Sequence, residues 1–122
     1  MTKVTFEEFC NFLDVREKSE PNSSYTTDER KFLWNELEHK AEDVRNAILE
    51  WARSGNQTEL TIPEIVVPKG FWTRHEDCAG KPISTAMLMK VQKMNYVAAV
   101  LTIDWIRRAP RDAMRILHRG MI

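Results

Sequence analysis

The stretch from Thr26 to Gly55 constrains this chain more than any other. At 100° per residue, Leu33, Leu37, Ala41, Val44, Ala47, Ile48 and Trp51 fall within one apolar arc. Thr26 or Thr27 supplies an N-cap, Asp28 and Glu29 occupy the first turn, and Arg53 the last. Gly55 then offers the left-handed stop. The pattern predicts one amphipathic helix continuing to about Ser54.

A second helical signal starts at Ser84 or Thr85 and reaches about Arg108. From Met94 to Ile106 it is apolar almost all the way round, which suits the centre of a bundle. Two shorter helices complete the reading. Thr5 and Glu8 form a capping box ahead of a helix to about Arg16, which buries Phe6, Phe9, Phe12 and Leu13. Residues 18–26 have the composition of a turn. Pro110 ends the central helix and starts a last one, closed by Gly120. Between the second and third helices, 59–62 and 64–67 are rich in β-branched residues and could pair as a small hairpin. Pro63 and Pro68 confine any strand there to an edge. The expected fold is an all-α bundle of about four helices, 1–122 in one domain, with that short extended segment inserted.

Composition closes several routes. With 43% hydrophobic and 30% charged residues, the chain is globular rather than disordered in character. The longest charge-free apolar stretch, Met94–Ile103, is half of what a membrane span needs, about 20 residues. Acidic Glu7 and Glu8 stand where a signal peptide would be apolar, so a cytoplasmic location with reduced Cys10 and Cys78 is expected. There is no phosphate-binding Gly loop, nucleophile elbow or His-Glu-x-x-His helix, and the reading is therefore non-enzymatic and cofactor-free. His75 and Cys78 could supply two zinc ligands, but a structural site takes four, so no metal is expected.

Charge is distributed unevenly. Residues 1–80 hold ten Lys/Arg against sixteen Asp/Glu, and residues 81–122 eight against two. Glu29, Glu36, Asp43 and Glu50 recur every seven residues, so on one straight helix they drift only about 20° per heptad and line one edge. Phe32 lies about 100° from the centre of the buried stripe, beside that edge with His39. Phe71 and Trp72 are adjacent, so in an extended segment one faces in and the other out. At the other end Arg111, Arg115, His118 and Arg119 share a helix face, with Arg107 and Arg108 just before Pro110.

Two functional readings follow. The first is a small adaptor, regulator or inhibitor that binds a larger protein or nucleoprotein stoichiometrically, through Phe32, Glu36, His39, Asp43, Glu50 and Trp72. A homodimer is compatible with the same pattern. The alternative is a nucleic-acid-binding regulator whose Arg107, Arg108, Arg111, Arg115 and Arg119 neutralise phosphates.

Overall fold

The computed structural model describes residues 4–19 and 24–119, with the Arg119 side chain left out. The expected stop at Gly120 and part of the expected turn after the first helix lie outside these residues. Two compact units divide between Thr58 and Glu59. Among the described residues there are six α-helices, one 3-10 helix and a two-stranded antiparallel sheet. The protein is therefore mostly helical but not purely all-α, and its helices number seven rather than about four.

The first unit has three helices: α1 (Phe6–Ser19), α2 (Thr27–Leu37) and α3 (Glu42–Ser54). Thr5 caps α1 as expected, its Oγ1 accepting from the Glu8 amide at 3.2 Å, but the return bond runs from the Thr5 hydroxyl to Glu8 Oε1, side chain to side chain. Thr26 caps α2 in the same way, accepting from the Glu29 amide at 3.2 Å. The core joins Phe9 and Leu13 of α1 with Leu33, Leu37, Val44 and Ile48. Phe6 and Phe12, expected inside, are only half-buried. Trp34 stacks at a tilt on Phe6 and Phe9, at centroid distances of 5.9 and 5.3 Å.

The single long helix expected over this region is two. Residues 38–41 interrupt it, and Ala41 takes an extended ψ of 154° as the N-cap of α3 without any side-chain cap bond. No Gly or Pro marks the break. Its cause is tertiary. A straight helix over 27–54 would be about 42 Å long, whereas the 14-residue α1 spans only about 21 Å. Breaking the helix lets both halves of the stripe lie on the same short partner. The stop at Gly55, with φ +81° and its amide bonded to the Trp51 carbonyl, falls where the sequence put it.

The second unit begins with β1 (Thr61–Val66), which pairs with β2 (Pro82–Ser84). Thr61 opposes Ser84 and Ile62 opposes Ile83, and then the register shifts so that Val66 opposes Pro82. Both stretches expected to pair with each other thus run along one strand, and the hairpin is not formed. Pro63 lies inside the shifted segment, where its missing amide breaks no ladder bond. Thr85 pins the start of β1: its hydroxyl accepts from the Leu60 amide and its own amide donates to the Leu60 carbonyl. Between the strands, Thr73–Cys78 forms the 3-10 helix, with a kink at His75.

The remaining helices are α4 (Thr85–Val91), α5 (Tyr96–Arg108) and α6 (Pro110–Arg119). Ser84 caps α4 as expected, and Pro110 opens α6. The helix expected from Ser84 to Arg108 is interrupted at residues 92–95. Lys93 enters the left-handed region at φ 54°, and the Asn95 side chain accepts from the Ala98 amide at 2.8 Å to start α5 afresh. Gln92 donates from Nε2 to the Leu117 carbonyl, tying the interruption to α6. Val97, Val100, Ile103 and Ile106 of α5 are buried, with Ile83, Leu88, Ala113 and Leu117 around them.

Candidate binding surfaces

On α2, Leu33 and Leu37 face inward, which turns Phe32 outward; its ring is 65% exposed. Residues three and four apart are neighbours on a helix, so Asp28, Glu29, Asn35 and Glu36 surround it. The outcome is an exposed aromatic ring among three carboxylates. Phe32 and His39 are both exposed, His39 in the turn that follows α2.

The acidic ridge does not survive as a continuous line, because its four members lie on two helices. Each also has a local role. Glu29 accepts from the Thr26 hydroxyl at 3.0 Å and Glu36 pairs with Lys40 at 3.1 Å. Asp43 stands in the first turn of α3 and accepts from the Val44 amide at 2.9 Å. Glu50 receives Arg53 at 2.6 Å and the Ser54 hydroxyl at 3.0 Å, and these bonds hold its carboxyl below the usual range. Of the four, only Glu29 and Asp43 stand in a first turn, where the helix dipole favours an acid.

Trp72 is a second correction. It is 2% exposed and belongs to the core of the second unit, so it cannot anchor a partner. Residues 71 and 72 lie in a bend, and Phe71 is the outward member of the pair, half-buried and edge-on to Trp72 at 5.0 Å.

Phe71 instead forms one wall of a shallow, open groove of about 310 Å³. Its loop side is Pro68, Lys69, Gly70 and Phe71, and its helix side is Met114, Arg115 and His118. The burial of Ala113 and Leu117 sets the rotation of α6 and directs that flank into the groove. The loop is held by His118, whose Nδ1 lies 2.8 Å from the Phe71 carbonyl oxygen. A carbonyl only accepts, so Nδ1 carries the proton. The two rings lie 5.1 Å apart at a tilt of 35°. Lys69 and Arg115 are the cationic residues among those lining it, and none of the described lining residues is acidic.

This groove was only partly visible in the sequence. Met114 and His118 are four apart on one helix flank, which signals a shared face. Pro68 and Lys69 gave no signal, because a loop carries no periodicity. Two arginines of the basic stripe are paired locally. Arg108 pairs with the buried Asp104 at 2.9 Å and Arg115 approaches Asp112 at 3.5 Å. Arg107 and Arg111 are exposed, and the Arg119 side chain is outside the described residues.

His75 is half-buried and Cys78 buried in the 3-10 helix. Among the described residues no three His, Cys, Asp or Glu side chains are grouped to hold a metal ion. No helix among them is long and apolar enough to cross a membrane. No protein-family profile, curated protein or solved structure matches the chain.

Proposed function

We propose that this protein is non-enzymatic and acts by stoichiometric binding to a larger protein, as adaptors and small inhibitors do. The observation that carries the reading is Phe32, a large aromatic ring 65% exposed on a capped helix. Holding it in water is unfavourable, and covering it against a partner returns about 1.5–3 kcal/mol for a side chain of this class. Asp28, Glu29 and Glu36 around it fit a partner surface with a basic rim and an apolar centre. His39 is exposed in the turn after α2, while Glu50 belongs to another helix and Trp72 to the core.

The test is affinity purification of the tagged protein from its native cells, comparing wild type with Phe32→Asp. Exposed substitutions usually change stability by no more than about 0.5 kcal/mol, so both proteins should melt alike. A partner recovered in stoichiometric amount with wild type and missing with the variant supports the reading. An unchanged set of partners sinks it.

The second reading, nucleic-acid binding, draws on exposed Arg111 near the α5–α6 junction. It would give affinity that falls steeply with salt and ignores sequence. The Asp104 and Asp112 pairs leave it fewer uncommitted charges than the sequence promised.

A further inference from the structure

The groove beside α6 has a wall and rim chemistry that the α2 surface lacks, and it lies wholly within the second unit. We infer that it is a binding site for an acidic peptide segment carrying an apolar or aromatic side chain next to Asp or Glu. Three features select this ligand. The lining pairs apolar Pro68, Phe71 and Met114 with cationic Lys69 and Arg115, so one ligand side chain lies on the apolar wall while a neighbouring carboxylate meets the rim. His118 adds a ring whose Nδ1 is spent on the Phe71 carbonyl, leaving Nε2 as its other polar atom.

The second feature is shape. Small-molecule pockets enclose most of their ligand, whereas this groove is open to solvent. A chain passing over it, with one or two side chains seated, matches that form better than an engulfed metabolite. The third is the sparse charge. A nucleic acid takes its affinity from many phosphate contacts, and only two full cations line the groove, one of them 3.5 Å from Asp112. Residues 107–122 also contain no Asn or Gln to read base edges. The His118 bond to Phe71 holds loop and helix together before any ligand arrives, which lowers the ordering cost of binding.

The inference is independent of the Phe32 reading, and one experiment keeps them apart. A fluorescent peptide of about ten residues, with a central Phe flanked by Asp and Glu, is titrated with the full chain and followed by polarisation. Three further probes accompany it: the same peptide with its acids changed to Asn and Gln, one with Phe changed to Ser, and a single-stranded oligothymidylate of similar length. The acidic Phe peptide should bind saturably at one site. Either peptide change should weaken binding at least about tenfold, as should raising the salt from about 50 to 200 mM for the acidic probe. The double variant Lys69→Glu, Arg115→Glu should lose at least about tenfold with an unchanged melting temperature, since both side chains are exposed. Phe32→Asp should bind like wild type. Absence of saturable binding overturns the inference, and so does binding that the double variant leaves intact. An oligothymidylate that binds more tightly than the peptide, and is lost in the double variant, reassigns the groove to nucleic acid.

Discussion

Arg30 and Asp14 join α2 to α1, with 2.8 Å between the guanidinium Nη2 and the carboxylate. The same guanidinium reaches Glu17 at 3.0 Å and donates to the backbone carbonyls of Cys10 at 3.2 Å and Tyr25 at 2.9 Å. Only 13% of the Arg30 side chain is exposed. Burial opposes its charge, but the bonds to Asp14, Glu17 and Cys10 outweigh that and hold its proton more tightly than usual.

Arg30→Ala should therefore destabilise the protein by about 2–3 kcal/mol, the range for charge-assisted hydrogen bonds lost at a mostly buried site. Asp14 is 54% exposed, so Asp14→Asn should cost less than about 1 kcal/mol. Arg30→Lys should recover less than half of the alanine loss, because an ammonium cannot reach two carboxylates and two carbonyls as a planar fork does. Urea unfolding of the three variants measures this. Equal effects for Arg30→Ala and Asp14→Asn would contradict it.

Gly55 and Gly80 have nearly the same left-handed φ, +81° and +82°, in different surroundings. A Cβ at Gly80 would meet nothing within 4 Å, whereas at Gly55 it would run into the Arg16 guanidinium. Alanine at either site should cost about 1 kcal/mol from backbone strain. The guanidinium is the free end of a flexible side chain and can swing aside, so the excess at Gly55 should stay below about 0.5 kcal/mol. A larger excess that Arg16→Ala abolishes would show the guanidinium to be pinned.

Lys93 carries the left-handed backbone, φ 54°, that separates α4 from α5. A side chain with a Cβ is strained there, and Lys93 is exposed, so Lys93→Gly should stabilise the protein by about 0.5 kcal/mol. Asn95→Ala removes the cap of α5 and should destabilise by about 1 kcal/mol. Thermal melting distinguishes the two by sign. A loss of stability in Lys93→Gly would mean that its side chain makes a contact worth more than the strain.

Glu50 has a folded-state pKa below its ordinary value of 4.5, because it accepts from Arg53 and then Ser54. A lowered carboxyl favours the folded state above the unfolded pKa, and that contribution fades as pH falls through the folded one. Carbon-detected NMR titration should give a Glu50 midpoint below 4.5, and Arg53→Ala should move it upward. A midpoint insensitive to Arg53 would remove this account of Glu50 and return its carboxylate to the pool open to partners.

What the sequence determined by itself is the set of local signals. Thr5, Thr26 and Ser84 cap helices, Gly55 ends one and Pro110 begins another, because caps, positive φ and a fixed proline φ act within four residues of chain. The exposure of Phe32 was legible for the same reason, as an angle on a helix whose buried face was already known. Tertiary structure decided the break at 38–41, the pairing of β1 with β2, and which of Phe71 and Trp72 turns inward, whereas the break at 92–95 also carries a local signal in the Asn95 cap. Periodicity cannot register a break that leaves each apolar stripe intact on its own piece of helix. Nor does it tell a strand which partner is near, and Pro82–Ser84 is too short to announce itself. The α6 groove shows the same division: the buried face of α6 fixes the flank holding Met114, Arg115 and His118. Lys69 joins them only because the chain folds back and His118 fastens the loop at Phe71, 47 residues away, an encounter that local preference does not encode.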